Sequence, residues 1–267
     1  MIMNTYSKES IETFICEYFH ITQEELHRLF DQIYYASTDV ESVIADYVSE
    51  NLADPIEYVQ FYHLSRRLNG SNLKAGNNLY DVLLTPTPIS VFLKEHGIEF
   101  KMGTDHLLLF LNGKLEELKQ ASKGNLGYLK WRMGYDKGDK DYCFNGFVFG
   151  DLLQYNDYYN SLRICPEFIY QLALIINREE MIWEYHENSK YYCLEYTIPL
   201  EKAIIDGKDH IVTRSGKTKV ILEAALLRLY KYWLNGKYTF DHDNIILRLA
   251  DTDTMQEEYF VQAEELE

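Results

Sequence analysis

Two stretches of this chain place chemically capable side chains on what read as extended segments. Phe61-Tyr62-His63-Leu64-Ser65 reads as the end of a strand. His63 and Ser65 are two residues apart there, so an extended backbone turns both to one side. Far along the chain, Tyr192, Leu194, Tyr196 and Ile198 alternate as one face of a second strand. Glu195 falls on the other face with Tyr191, Cys193 and Thr197. A carboxylate on the less apolar face of a central strand can line a cleft. If the two strands lie side by side, one imidazole and one carboxylate would face a shared hollow.

Other motifs read more plainly. Gly216-Lys217-Thr218 before a helix looks like the end of a phosphate-binding loop, but that loop needs a glycine where Ile211 stands. An ordinary hairpin or helix entry is expected. Asp241-His242-Asp243 and the pair Asp251 and Asp253 are metal-capable, yet the glycine and distant Glu of a calcium loop are missing. A solvated acidic turn is expected there, and no metal. His96, His106, His186 and His210 show no paired spacing for a catalytic zinc. Cys165 before Pro166 could have a lowered pKa at a helix start, but its neighbour Ile164 points to burial. Cys16, Cys143, Cys165 and Cys193 form no C-x-x-C pair, which suits buried, reduced thiols.

The elements that must position these groups follow from periodicity. Three short helices open the chain. Ser7 or Ser10 caps the first, which carries Ile11, Phe14, Ile15, Tyr18 and Phe19. Thr22 with Glu25 makes a capping box for the second, and Thr38 or Asp39 opens the third. Asp54-Pro55 ends the helical block. Residues 56–63 read as a strand, followed by turns and a short helix ending near His96-Gly97. Asn112-Gly113 marks a hairpin. Residues 126–133 read as a helix, and 142–149 as a strand interrupted by Asn145-Gly146. Pro166 starts a helix through Ile175. Residues 178–185 extend or follow it, 219–234 form the most regular helix, and 244–249 read as a strand. The acidic end reads as frayed or partly helical. The expected fold is α+β: a mixed or antiparallel sheet with packed helices behind a small three-helix unit. The expected division is a helical domain over 1–54, a main domain over 55–250 and an acidic tail over 251–267.

Charge bounds the partners. The chain has 42 acidic and 26 basic side chains in 267 residues, a net charge of −16. Such a field repels phosphate backbones and anionic lipids, so stable duplex and membrane binding are not expected. Arg66 and Arg67 with Lys74, or the looser run from Lys114 to Arg132, could hold a phosphate-bearing small molecule. Aromatic residues make up 15% of the chain, including 23 tyrosines, which argues against a disordered body. Neither a signal peptide nor an apolar stretch long enough to span a bilayer is read, so a cytoplasmic protein is expected.

Tyr62-His63-Leu64-Ser65 with the later strand Glu195 resembles the ADP-ribosyltransferase superfamily. Its members open the NAD site on a strand ending in His-x-Thr or His-x-Ser, and they place a catalytic Glu on a later strand. The resemblance implies NAD as substrate, with His63 bonding a ribose hydroxyl and Ser65 fixing the nicotinamide ribose. It implies that Glu195 stabilises the sugar cation as nicotinamide leaves, with Glu201 the competing candidate. Tyr80, Tyr155, Tyr158 or Tyr159 would supply the ring platform, and Arg66 or Arg67 would meet the pyrophosphate. ADP-ribose would pass to a protein, a nucleic acid or water. The rival expectation is a non-catalytic acidic interaction or inhibitor protein whose tyrosine-rich surface takes a basic partner.

Overall fold

The computed structural model describes residues 2–36, 39–118, 124–135, 141–236 and 239–266. After the short strand β1 (Ile2–Met3), helix α1 (Lys8–Phe19) starts at Ser7. The Ser7 hydroxyl accepts the Ser10 N–H, and the Ser10 hydroxyl accepts the Ser7 N–H in return. Helix α2 (Gln23–Ala36) opens on the expected box. Thr22 N–H donates to Glu25 Oε2 at 2.9 Å, and Glu25 N–H donates to Thr22 Oγ1 at 3.2 Å. Each box satisfies donors that no helix turn can reach. Asp39 caps α3 (Val40–Asn51), whereas Thr38, the alternative opener, lies outside the described residues.

Next come β2 (Tyr58–Leu68), α4 (Leu79–Leu84), α5 (Pro88–Glu95), β3 (Ile98–Met102), β4 (Leu107–Leu111) and β5 (Lys114–Leu115). They are followed by α6 (Asn125–Arg132), β6 (Asn145–Phe147), α7 (Asp157–Ser161), α8 (Glu167–Ile175) and α9 (Glu180–Glu187). The chain then forms β7 (Ser189–Pro199), β8 (Ile204–Ile205), α10 (Arg214–Asn235), β9 (Ile246–Arg248) and β10 (Phe260–Leu266). The class is α+β, as the alternation of helical and period-2 stretches implies. Among the described residues, no helix is long and apolar enough to cross a membrane.

Several expectations need correction. Strand β2 does not end at His63 but runs to Leu68, because Leu64, Arg66 and Leu68 continue the buried alternation. Asn145-Gly146 does not interrupt the following strand; it begins β6. The acidic end is not frayed: a short 3-10 turn (Glu257–Tyr259) leads into β10, which neighbours β7 in the sheet, and Glu265 meets Lys190 at 2.9 Å.

Chain contacts divide the molecule into two compact units, neither of them one continuous stretch. The first comprises Met1–Tyr62, Asn145–Asn156 and Glu195–Arg248. Here α1, α2 and α3 pack on α10, burying Ile11, Ile15, Phe30, Ile44 and Val48 with Ile221, Leu222 and Leu229. Strand β1 runs parallel to β2, while β6 pairs antiparallel with β2 and β9, and β9 pairs with β8. Gly146 is required at its position, because a Cβ there would stand 2.5 Å from the Tyr62 carbonyl oxygen.

The second unit comprises His63–Phe144, Asp157–Leu194 and Leu249–Glu267. It contains the antiparallel sheet β3-β4-β5. Asn112 (φ 48°) and Gly113 (φ 78°) make the two-residue turn between β4 and β5, a backbone that Asn-Gly tolerates best. Its core gathers Leu93, Ile98, Leu107, Leu129, Leu172 and Met181.

The contact at Gly146 gives a direct test. Gly146→Ala must push the β2 backbone away, and overpacking of this kind costs about 2 kcal/mol. Urea unfolding followed by circular dichroism should show the midpoint falling with an unchanged slope. An unchanged midpoint would contradict the pairing of β6 with β2.

Candidate functional site

Glu195 lies in the first unit and is 5% exposed, so it neither lines an open cleft nor stands in solvent. Gln60 Nε2 donates to Glu195 Oε1 at 2.7 Å. The Gln60 Oε1 atom in turn accepts Thr5 N–H at 2.7 Å and the Tyr62 hydroxyl at 2.8 Å. Both ends of the Gln60 amide are therefore engaged, which fixes its orientation and with it the donor that meets the carboxylate. A buried carboxylate is tolerable where such donors replace water. The arrangement is a buried carboxyl group whose position Gln60 holds before any ligand arrives.

The division between units falls between Tyr62 and His63 on β2 and between Leu194 and Glu195 on β7. His63, Ser65, Arg66, Tyr80, Tyr158 and Tyr159 accordingly belong to the second unit, and Glu195, Glu201 and Tyr155 to the first. The half-buried His63 ring lies 4.1 Å from the Phe144 ring at an interplanar angle of 32°. Ser65 is half-buried in mid-strand. Tyr80 packs against the apolar core of its unit, 6.3 Å from Tyr142. Tyr155 and Tyr158 are exposed, and the Tyr159 carbonyl accepts the Tyr191 hydroxyl at 2.9 Å. Glu201 is exposed.

Arg66 corrects its expected role. Its Nε donates to Ser189 Oγ at 2.8 Å and its Nη1 to the Arg163 carbonyl at 2.6 Å. Its Nη2 donates to the carbonyls of His186 at 2.8 Å and Ser189 at 3.1 Å. The Arg66 carbonyl accepts the buried Tyr185 hydroxyl at 3.0 Å. This guanidinium is buried because every nitrogen finds a protein oxygen, and it has no face left for a pyrophosphate.

Lys217 is closed off in the same manner. Helix α10 begins at Arg214 under a Thr213 cap, so Lys217 sits within the first turns and not in a loop before them. Its Nζ donates to the carbonyls of Leu200 at 3.4 Å, Glu201 at 3.1 Å and Ala203. Burial holds its pKa below the ordinary lysine value. Thr218 Oγ1 accepts the Ile56 N–H at 3.0 Å. The fragment that resembles a phosphate loop is an internal anchor.

Asp241 was expected in a solvated turn and is fully buried instead. Arg228 from α10 reaches Asp151 through Nε at 2.9 Å and 3.0 Å, and Asp241 through Nη2 at 2.6 Å. Asn156 and Asn244 each donate to Asp241 at 3.0 Å, and Tyr232 donates to Asp151 at 2.6 Å. Burial lowers the Arg228 pKa, but the bonds and field of the two carboxylates outweigh it, so the net shift is upward. The missed signal was Arg228 itself, an arginine between Leu226, Leu227 and Leu229 on a core helix. Such a residue needs buried anions. Among the described residues, no group of three or more His, Cys, Asp or Glu side chains could hold a metal ion.

Cys165 is 1% exposed, and burial pushes its thiol up to about 12, opposed only by the field of Arg66. Its thiolate is scarce at neutral pH, so it is no nucleophile. A groove of about 420 Å³ in the first unit is lined by Ile44, Ile205, Val220, Leu227 and Ile246 among others. None of the sequence-predicted site residues borders it.

The role of Arg66 can be decided by stability. Arg66→Met leaves buried oxygens without donors, which should cost about 3 kcal/mol in chemical unfolding. A pyrophosphate-binding arginine on a surface would give almost no change. Comparison with protein-family models, with curated proteins and with solved structures returns no match for this chain.

Proposed function

We propose that this chain is a non-catalytic interaction protein whose acidic helical face takes a basic protein partner. One observation carries the reading. The first 65 residues contain twelve carboxylates and only two Lys or Arg side chains, Lys8 and Arg28. Eleven of those carboxylates are exposed, and the twelfth, Glu12, is buried 3.3 Å from His27. Arg28 lies 3.8 Å from Glu25, which weakens one of the few local counter-charges. Like charges so disposed repel one another, and a partner of opposite sign relieves the repulsion while being drawn in faster. Membranes and nucleic-acid backbones carry the wrong sign for this face.

The reading requires strong screening. At about 0.15 M salt the Debye length is roughly 8 Å, and it shrinks further as salt rises. Affinity for any basic partner recovered with the purified chain should fall at least about tenfold between low and high salt, chiefly through slower association. Titration calorimetry at several salt concentrations checks this. Partners that lack a basic surface, or that hold equally well at high salt, end the proposal.

A second reading rests on Glu195, the buried carboxylate that Gln60 holds at 2.7 Å. On this reading the chain has ADP-ribosyltransferase-like activity with NAD as substrate, and Glu195 favours positive charge growing on the ribose as nicotinamide departs. Glu195→Gln keeps an oxygen for the Gln60 donor, so the fold should survive. Nicotinamide release from NAD by the purified chain should then be lost. Release that is absent from the native chain, or untouched by the substitution, removes this reading.

A further inference from the structure

We infer that the partner docks on an aromatic ridge formed by the exposed Tyr34 and Tyr35 and the half-buried Trp233, and that it presents an arginine-rich segment. The inference rests on the acidic-interaction reading and gives that reading a location and a chemistry. All three residues lie in the first compact unit. On α2, Leu26, Phe30 and Ile33 are buried at helical spacing and face the core. The next two residues depart from that pattern, with Tyr34 52% exposed and Tyr35 83% exposed. Helical geometry puts Tyr34 at the edge of the buried stripe and Tyr35 on the side away from it.

The rings make one line from the core outward. Phe30 meets Tyr230 edge-on at 5.7 Å, and Tyr230 stacks on Trp233 at 5.7 Å and 28°. Tyr34 stands 6.1 Å from Trp233, and Tyr35 stands 5.2 Å from Tyr34. Leu234, 48% exposed, is the next residue after Trp233 on α10. The inner rings fix the outer ones, so binding would order few side chains. Rigid, part-exposed aromatic residues of this kind are the usual anchors of protein interfaces.

Charge selects the occupant. Glu24, Glu25 and Asp31 are exposed on the same helix, and Glu41, Asp46 and Glu50 are exposed on α3. The nearest cation on α10, Lys231, is bonded to Asp243. An aromatic ridge in a negative field suits a guanidinium group, whose flat face stacks on tyrosine or tryptophan while its edge bonds carboxylates. An ammonium group has the charge but not the flat face, so lysine should serve less well. A purely apolar partner would gain nothing from the surrounding carboxylates.

The test uses the full chain and a fluorescein-labelled nona-arginine peptide, with binding read by anisotropy at low salt. Tyr34→Ala combined with Tyr35→Ala should weaken binding about tenfold or more, with an unchanged circular dichroism spectrum. Nona-lysine should bind several-fold more weakly than nona-arginine. Two charge-matched pairs guard against simple attraction to an acidic protein. Glu24→Gln with Asp31→Asn removes two charges from the helix that carries the tyrosines, and Glu258→Gln with Glu264→Gln removes two in the second unit. The first pair should weaken binding more than the second. If the peptide binds but the tyrosine variant matches the native chain, or the two charge pairs act alike, the ridge is not the site and the broader reading stands. If the native chain does not bind the peptide at low salt, both fall together.

Discussion

Arg228 can occupy the interior of its unit only because two carboxylates meet it there. Asp151 reaches it from the segment after β6, and Asp241 from the segment before β9. Removing a partner from such a buried set leaves an uncompensated charge, so each member constrains the others. Asn156, Asn244 and Tyr232 then complete the remaining bonds to the carboxylates. One side chain on α10 thereby fixes the register of two distant segments against that helix. The apolar packing of α1, α2 and α3 on the same helix depends on α10 being held in this way.

The same rule governs two other buried cations. Arg66 is enclosed by one hydroxyl and three carbonyls, and Lys217 by three carbonyls. Their burial therefore removes positive charge from the surface without removing much negative charge. The acidity of the first 65 residues has a different source, their own composition of twelve carboxylates against Lys8 and Arg28. Arg66 and Lys217 are thereby withdrawn from the candidate phosphate contacts.

What the sequence made legible was local. The boxes at Ser7 and Thr22, the Asp39 cap, the Asn112-Gly113 turn and the helix after Pro166 all depend on residues within a few positions. Distant partners decided the rest. Strand β2 continues past His63 because Arg66 is satisfied by residues 163, 186 and 189, which no short window contains. The acidic end becomes β10 because a strand lies beside it, although its composition suggests fraying. Asp241 looks like a surface residue until Arg228 is known to face it. For the candidate site, spacing placed Glu195 correctly on a strand. It could not reveal Gln60, and so it misjudged burial.

Exposure of Tyr34 and Tyr35 is informative because α2 has no structural need of it. Leu26, Phe30 and Ile33 already supply its contacts with the core. A buried tyrosine hides a large apolar ring, and leaving two in water forgoes that gain. The contact of Tyr34 with Trp233, and of Tyr35 with Tyr34, shows that they are not splayed at random. The cost is balanced if some other surface covers them. The carboxylates around them state which charge that surface must carry, and the planar rings favour a planar cation over a round one. The acidic composition of the N-terminal helices and the display of aromatic rings on one of them thus lead to the same kind of partner.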